Sequence, residues 1–414
     1  MGGKRLDRMA EHTIIETPED LEALTRRLAK ERVIAIDTEA DSFFHYHDKI
    51  CLLQIGFRGG IYLVDPLSLP EGGLEPIRGI LADPGIRKVL HAADYDLYVM
   101  RRYAGFEIKN LFDTMISAQL LGYPAVGLAA LVEHHFGVKM SKDQQRTDWS
   151  KRPLKPAQVD YAASDVEFLI ELSQKLEKEL RAKKRLGWAQ AEFRSLEEKI
   201  WPEREFDKSG YLRIKGAKQL APPNLAVLRE LFLMRDKRAR EQDRPAFKVM
   251  GNGTMLALAK HPPGSKHALD GRKGITDLVR RRLGAEILEA VKHGLDNPDN
   301  GEREKRRRGP GRRRLDRRAE LRLACLKKWR AERSTELTLD PGVFCPNATL
   351  EEIAWANPKD AAALQELSLV KGWWGEQFGP EVVDTLVAEA KEPGKSGSER
   401  SSSSGSGSRR SGRK

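Results

Sequence analysis

Residues 33–40 read VIAIDTEA, an apolar and β-branched run that ends in two carboxylates. This composition predicts a strand, and because strand side chains alternate between faces, Asp37 and Glu39 point to the same side. Two like charges this close at the end of a buried strand repel each other unless a cation lies between them. Carboxylate oxygens favour Mg²⁺ or Mn²⁺. The pattern indicates a divalent metal site, and the competing interpretation is an exposed acidic turn.

Further runs along the chain predict the rest of an α/β domain. Residues 61–65 (IYLVD) and 86–92 (IRKVLHA) are again apolar and β-branched, as strands are. The stretches between them have helical spacing, for example at Leu21, Leu24 and Leu28. Strands that alternate with helices favour a sheet flanked by helices. The strand signal ends near residue 176, and the remainder predicts amphipathic helices.

Two predicted helices bring further carboxylates to this domain. The segment HAADYDLYVM at 91–100 begins at a strand end and places Asp96 in the first turn of a helix, where a carboxylate is favoured in any protein. The segment QVDYAASDVEFLIEL at 158–172 places Tyr161 and Asp165 four residues apart, and therefore on one helix face. An apolar residue would be usual beside Tyr161 on a buried face. The aspartate found there is a candidate metal ligand.

The candidate catalytic set combines four carboxylates with one tyrosine: Asp37, Glu39, Asp96, Asp165 and Tyr161. The carboxylates could hold two divalent cations, Mg²⁺ or Mn²⁺, about 3.5–4 Å apart, which would bridge a scissile phosphate. Tyr161 would position the attacking water, because a phenol with an ordinary pKa of about 10 orients a water better than it accepts a proton. His91 is the competing base, although its strand position favours a hydrogen-bonded core residue.

Composition limits the function classes. The formal net charge of +12, from 73 Lys and Arg against 61 Asp and Glu, favours a polyanionic partner, although part of this excess lies in the C-terminal tail. Cys51, Cys325 and Cys345 are too few and too far apart for a disulfide framework or a zinc cluster. No apolar run is long enough for a signal-peptide core or a bilayer span. We expect a cytoplasmic protein with no membrane partner and no obligate protein partner.

The C-terminal half contains a weak, ungapped internal repeat. At an offset of 95 residues, Leu228 falls on Leu323 and Arg235 on Arg330. Each copy has a basic helix, a turn-rich stretch with a proline, and a second helix that begins near a threonine. Two small helical bundles are therefore predicted. Pro, Gly and a dense basic run at 297–314 predict a flexible linker between them.

Three motifs together resemble the DEDD superfamily of 3′→5′ exonucleases: DTEAD at 37–41, HAADYD at 91–96 and YAASD at 161–165. The tyrosine four residues before the last aspartate is similar to the tyrosine-bearing branch. The stretch SKDQQRTDWSKRPLKPAQVDYAASDVEFL at 141–169 resembles bacterial ribonuclease D. The order of domains is similar too, because the ribonuclease D family carries HRDC-type bundles after the exonuclease domain.

This resemblance implies a fold and a domain organisation. The fold is an α/β ribonuclease H-like exonuclease domain, a mixed sheet flanked by helices, followed by two small all-α bundles. The predicted boundaries are 10–190 for the exonuclease domain, 215–296 for the first HRDC-type bundle, 297–314 for the basic linker, 315–392 for a second, divergent HRDC-like bundle, and 393–414 for a disordered Ser/Gly/Arg tail.

The resemblance also implies an activity: nucleotides are removed one at a time from RNA 3′ ends and released as 5′-mononucleotides, with two divalent cations per site. RNA with a single-stranded 3′ end is the implied partner, and precursor transfer RNA is its characteristic form. The candidate RNA-binding residues are all basic, and a solvated face or a spacer explains any one of them equally well: Arg235, Arg240, Lys248, Arg306, Arg307 and Arg308.

Two alternatives stay open at this point. A 3′→5′ DNA exonuclease would share the carboxylates and differ in what reads the sugar 2′-hydroxyl. A non-catalytic RNA-binding scaffold could keep the fold, although such a relative needs to lose just one ligand and every carboxylate is present here. The domain order favours RNA as the substrate by analogy of fold.

Overall fold

The predicted strand at 33–40 forms the middle of a six-stranded sheet in the computed structural model, which describes residues 12–41, 43–47, 49–202, 206–298 and 315–391. The strands are β1 (His12–Ile15), β2 (Val33–Ala40), β3 (Ile50–Phe57), β4 (Gly60–Val64), β5 (Arg87–Leu90) and β6 (Leu111–Asp113). Their order in the sheet is β1-β4-β3-β2-β5-β6. Strand β2 is antiparallel to β3 and parallel to β5, so the sheet is mixed as predicted.

Helices flank this sheet and connect its strands. They are α1 (Pro18–Leu28), α2 (Arg78–Ala82), α3 (Asp94–Ala104), α4 (Thr114–Leu121), α5 (Leu128–Phe136), α6 (Pro156–Glu167), α7 (Leu169–Ala182) and α8 (Leu186–Glu197). The predicted apolar face of the first helix is confirmed, since Leu21, Leu24 and Leu28 are all buried. Thr17 caps that helix by accepting a hydrogen bond from the Asp20 N–H.

Strand β3 is the longest of three strands that the sequence pattern did not reveal. All eight residues of ICLLQIGF are buried, because β2 and β4 pair with it on either side and helices cover the sheet. A strand buried on both faces shows no alternation of apolar and polar residues, and a short apolar run cannot be told from a buried helix segment by periodicity. The short outer strands β1 and β6 lacked a clear signal for the simpler reason that each has four residues or fewer.

The C-terminal half forms two helical bundles with matching elements. The first contains α9 (Pro222–Glu241), α10 (Ala246–Val249), α11 (Asn252–Lys260) and α12 (Asp277–Asp296); the second contains α13 (Arg317–Glu336), α14 (Pro341–Phe344), α15 (Asn347–Ala356), α16 (Ala361–Gln365) and α17 (Gly372–Lys391). The exonuclease-type domain and the first bundle form one compact unit, and the second bundle forms another. Residues 299–314 and 393–414, predicted as linker and tail, lie outside the described residues.

Identical arginine contacts confirm the internal repeat. In each bundle one arginine of the opening helix donates to a backbone carbonyl, and a second pairs with a glutamate of the closing helix. The corresponding residues are 95 positions apart: Arg235 with Met250 and Arg330 with Cys345, then Arg238 with Glu286 and Arg333 with Glu381. None of the helices described is both long enough and apolar enough to cross a lipid bilayer.

A buried ion pair fastens the segment before α6 to the sheet. Arg152 donates from Nη2 to Asp65 Oδ1 at 2.6 Å and also from Nε to Asp65 Oδ2, just beyond the end of β4. Asp65 is 1% exposed. Burial on its own raises the pKa of Asp65, but the hydrogen bonds and charge of Arg152 outweigh burial and lower it. The folded state therefore favours the ionised form of this carboxyl.

We expect Arg152→Met to destabilise the protein by roughly 3–5 kcal/mol at neutral pH, because it leaves the Asp65 carboxylate buried and unpaired. Urea denaturation should measure this loss, with Arg146→Met as an exposed control in the same segment. Since the folded pKa of Asp65 is lowered, the stabilisation is present above the ordinary carboxyl pKa and is lost as the pH falls. A destabilisation that stays equally large at pH 3 would contradict this account.

Candidate active site

Strand β2 places two carboxylates on one face of the sheet. Asp37 lies opposite Gln54 of β3, and Glu39 lies opposite Leu52. Directly opposed residues of an antiparallel pair share a face, so these four side chains project to the same side. The register shifts after Glu39, where the strand leaves its regular pairing. Both carboxylates are partly exposed at this point, whereas the strand before them is buried.

Helix α6 covers that face and brings the third carboxylate. Its sheet-facing residues Val159, Ala162, Ala163 and Val166 are buried. A Cβ placed on Gly56 would lie 3.3 Å from Val166, which shows how closely α6 approaches β3 and why glycine stands there. This packing brings Asp165 to the strand. One carboxylate oxygen from each of Asp37, Glu39 and Asp165 lies within 4.8 Å of the other two.

Asp96 approaches the cluster from helix α3. It is 7% exposed, and its Oδ1 accepts a hydrogen bond from the Thr38 hydroxyl. Thr38 lies between Asp37 and Glu39 on the strand, so this bond fixes Asp96 to the same strand segment. Asp96 is not one of the three carboxylates within 4.8 Å of one another. Its charge nevertheless acts on both Asp37 and Glu39, as their pKa values show.

The four carboxyl groups oppose one another's ionisation. Burial, followed by the charges of neighbouring carboxylates, raises the pKa of Asp37 and of Glu39 well above the ordinary values. Burial also raises the pKa of Asp96 to about 7 and that of Asp165 to about 7. The hydrogen bond from Thr38 lowers the pKa of Asp96, and that from Tyr161 lowers the pKa of Asp165, but burial outweighs both. Ionised carboxylates that repel one another in this way are stabilised by a divalent cation bound between them.

Tyr161 contacts the same cluster from one turn before Asp165. Burial raises its pKa, and the charges of Asp165, Glu39 and Asp37 raise it further. This raised pKa favours the protonated hydroxyl, which suits it to orienting a water. Its ring lies against the fully buried Trp149, with centroids 6.1 Å apart. That contact limits how far the phenol can turn.

His91, the competing base, is held at the end of its strand by a hydrogen bond. Its Nδ1 lies 2.9 Å from the Thr114 hydroxyl, and burial lowers its pKa to about 4. The interpretation of His91 as a hydrogen-bonded residue of the strand end is confirmed.

Sequence reasoning missed two buried polar residues beside the site. Asp113 accepts hydrogen bonds from the N–H groups of Ala92 and Ala93, and so shapes the turn that starts α3; it also accepts from Met115 and Ile116. The sequence signal for Asp113 was its position at the end of the apolar run LFD, directly before a threonine. Gln54, fully buried in β3, stands opposite Asp37. A single amide inside ICLLQIGF was the signal for that residue.

The candidate RNA-binding residues fall into three groups. Arg235 is 8% exposed, and its guanidinium donates to the Met250 carbonyl and to Asn252 Oδ1, so the expectation that it binds RNA is corrected: it is a structural residue of the first bundle. Arg240 has an exposed side chain that contacts Asp236. Lys248 is exposed at the end of α10. Arg306, Arg307 and Arg308 lie outside the described residues.

The segment after β2 is held by the first bundle. His45 Nδ1 lies 2.6 Å from Asp243 Oδ2, and the Tyr46 hydroxyl donates to Asp236 at 2.7 Å. The Lys248 ammonium lies 3.9 Å from the centre of the Phe44 ring. These contacts begin four residues after the catalytic strand ends. They tie the edge of the carboxylate cluster to helices α9 and α10.

Comparison with known proteins places this arrangement in a family. The family described as 3′-5′ exonuclease matches residues 12–181, and the HRDC domain family matches residues 224–291 and 320–386. Ribonuclease D from Cronobacter turicensis is 35% identical over 282 residues, which are 67% of this chain and 74% of that protein. The chain belongs to the ribonuclease D family.

Solved structures extend this assignment. Ribonuclease D from Escherichia coli, at 26% identity, superposes with a TM-score of 0.65 over 92% of this chain and 99% of that one. The catalytic core of RRP6 from Trypanosoma brucei, at 32% identity, gives a TM-score of 0.64 over 69% and 80%. The ribonuclease D assignment confirms the predicted fold class, since the mixed sheet and the helical bundles occur in the same order.

The family's use of divalent metals fits the residues present. Every donor in the cluster is a carboxylate oxygen, and three of them already lie within 4.8 Å of one another. Mg²⁺ and Mn²⁺ are the cations that prefer such ligands. Burial, followed by the charges of neighbouring carboxylates, raises the pKa values of these carboxyl groups, and a bound cation would act in the opposite direction.

Asp165→Asn should raise the melting temperature of the metal-free protein, because it removes one of the charges that oppose each other. A gain of roughly 2–4 °C is expected for each kcal/mol of repulsion relieved. The same variant should reduce the rise in melting temperature that Mg²⁺ produces. Asp160→Asn, an exposed position on the same helix, is the matched control and should change neither value. Equal behaviour of the two variants would contradict the metal site.

Proposed function

We propose that this 3′→5′ exoribonuclease of the ribonuclease D family shortens RNA one nucleotide at a time and releases 5′-mononucleotides, with precursor transfer RNAs among its substrates. The observation that carries the proposal is the cluster of oxygens from Asp37, Glu39 and Asp165 within 4.8 Å, with Asp96 bonded to the strand beside them. The domain boundaries drawn from the sequence belong to the same proposal.

Four carboxylates would hold two divalent cations, Mg²⁺ or Mn²⁺: Asp37, Glu39, Asp96 and Asp165. When bound, these cations would supply the positive charge that activates a water and stabilises the leaving 3′-oxygen. The chain's own contribution is placement. Strand β2 fixes two of the ligands, while α3 and α6 each add one from a covering helix. The Thr38 hydroxyl holds Asp96 in place.

Tyr161 would orient the attacking water. Its hydroxyl is protonated, lies beside the carboxylates, and has a ring held by Trp149. A protonated phenol can donate one hydrogen bond and accept another, which fixes the direction of a water lone pair. With His91 bonded to Thr114 and its pKa lowered to about 4, no role as base is assigned to that histidine.

Exposed aromatic and basic side chains support a path for the RNA 3′ end. Phe43, just beyond β2, is 59% exposed, and Phe247 of the first bundle is 58% exposed. They flank the contact between Phe44 and Lys248. Bases of a single strand stack on exposed aromatic rings, and nearby lysines contact the phosphates. Lys248, with Arg240 on the neighbouring helix, therefore remains the best candidate among the basic residues of this bundle.

Transfer RNA as the substrate rests on the relatives. The Escherichia coli ribonuclease D structure is described as that of an exoribonuclease involved in structured RNA processing, and this chain aligns with 99% of it. The first bundle, which forms one compact unit with the exonuclease domain, would provide surface for the folded part of such an RNA.

Cleavage assays with Mg²⁺ on a 3′-extended transfer RNA and on single-stranded DNA of the same 3′ sequence test the proposal. We expect stepwise shortening of the RNA, release of 5′-mononucleotides, and slower cleavage of the DNA. Asp37→Asn should abolish cleavage, because it removes a metal ligand. RNA binding should be retained, because the basic residues proposed to bind RNA are unchanged. Asp94→Asn, an exposed aspartate in the first turn of α3, is the control and should stay active.

Two results would contradict this proposal. Faster cleavage of the DNA would assign a DNA exonuclease, and RNA binding without any cleavage would assign a non-catalytic scaffold.

Tyr161→Phe keeps the ring and removes the hydroxyl, so we expect kcat to fall about 10–100-fold with little change in KM. Tyr103→Phe, at a half-exposed position on α3, serves as the control. Single-turnover measurement of nucleotide release would separate the chemical step from RNA binding. An unchanged kcat in Tyr161→Phe would make Tyr161 a packing residue.

A further inference from the structure

The side chain of Gln54 is fully buried and has no hydrogen-bond partner among the described residues. Its exposed fraction is 0%, and neither Oε1 nor Nε2 is paired. A buried amide in this state destabilises the folded protein relative to an apolar side chain of the same size. The surrounding strand is otherwise suited to leucine or isoleucine. Packing alone therefore does not account for a glutamine at this position.

The pairing of strands identifies the neighbours of this amide. Gln54 lies opposite Asp37 on β2 and opposite Leu63 on β4. Side chains directly opposed in an antiparallel pair lie on one face, with Cβ atoms about 4.5–5.5 Å apart. Leu63 offers no polar atom. Asp37 is therefore the polar residue that β2 and β4 present directly opposite Gln54.

Asp65, just beyond the end of β4, already has hydrogen-bond partners on both of its oxygens. Its Oδ1 accepts from the Leu67 N–H and from Arg152, and its Oδ2 accepts from the Ser68 hydroxyl and again from Arg152. A carboxylate with both oxygens bound to an arginine has little to gain from a further amide. Asp37, by contrast, lies directly opposite Gln54 and is the nearest cross-strand candidate for an acceptor.

Helix α6 closes the space above the amide. Val166 would lie 3.3 Å from a Cβ on Gly56, two residues along the strand and on the same face as Gln54. The small residues Ala162 and Ala163 of this helix are buried against the sheet. The Gln54 side chain is thereby shut off from solvent on the helix side, and it shares that face of the sheet with Asp37.

We propose that Gln54 is a positioning residue for the metal site, and that its Nε2 donates a hydrogen bond to the Asp37 carboxylate when that carboxylate holds a divalent cation. The inference rests on the proposed function, because it takes Asp37 as a metal ligand. Carboxylates that bind metals are themselves held by hydrogen bonds from neighbouring groups, and loss of such a partner weakens metal binding. The amide stays uncharged, so it orients Asp37 without adding to the repulsion among the carboxylates.

Gln54→Met separates this role from packing, because methionine has a similar length and volume but no amide. In the full chain, the melting temperature without metal should rise by roughly 2–4 °C, since a buried unpaired amide is removed. Mg²⁺ affinity measured by calorimetry should fall about 10–100-fold. Leu53→Met, the neighbouring buried position on the opposite face of β3, is the control and should leave the Mg²⁺ affinity unchanged.

A positioning role predicts that Gln54→Met raises the melting temperature without metal and lowers the Mg²⁺ affinity, whereas a packing role does not predict this combination. If Gln54→Met lowers the melting temperature without metal and keeps the wild-type Mg²⁺ affinity, the proposal is overturned. Gln54→Leu gives a second apolar variant if the methionine does not fold. Asp37→Asn separates this proposal from the proposed function. If Asp37→Asn loses Mg²⁺ binding and both Gln54 variants keep it, the role of Gln54 is disproved and the metal site is not. Absence of Mg²⁺ binding in the wild type defeats the metal site itself.

Discussion

Repulsion among clustered, largely desolvated carboxylates is the constraint on which the rest of the active domain depends. Asp37, Glu39 and Asp165 are held within 4.8 Å of one another at the middle of the sheet, and Asp96 adds a fourth charge nearby. A flexible site would relax by turning these side chains to solvent. The central position of β2, the close approach of α6 and the bond from Thr38 prevent that relaxation. The cluster therefore destabilises the metal-free folded protein, and a bound divalent cation would relieve this cost.

The same strand connects the active site to the first helical bundle. Within six residues of leaving the sheet the chain reaches His45 and Tyr46, whose side chains meet aspartates of α9 and the turn that follows it. These contacts explain why the exonuclease domain and this bundle form one compact unit. If Lys248 and the exposed aromatic residues bind RNA as proposed, that RNA lies beside the segment that continues from the candidate metal ligands. Binding and cleavage would then share one structural element.

The two bundles show how a weak sequence repeat can preserve specific contacts. Most positions differ between the copies, yet each copy keeps one arginine bonded to a backbone carbonyl and a second paired with a glutamate. An arginine can satisfy several acceptors from one planar group, so these contacts hold helix ends and turns that apolar packing would leave free. The excess of positive charge in this half of the chain is therefore partly structural. Arg235, expected to bind RNA, is the clearest case.

The sequence by itself determined the features that depend on local periodicity. Asp37 and Glu39 share a face because strands alternate, Tyr161 and Asp165 share one because helices repeat every 3.6 residues, and the bundles followed from a fixed offset. Tertiary structure decided what depends on contacts between distant segments. The hydrogen bond from Thr38 to Asp96 follows from packing, and the position of Gln54 opposite Asp37 follows from strand register. No local sequence pattern encodes either of them. Burial on both faces likewise hid strand β3 from periodicity.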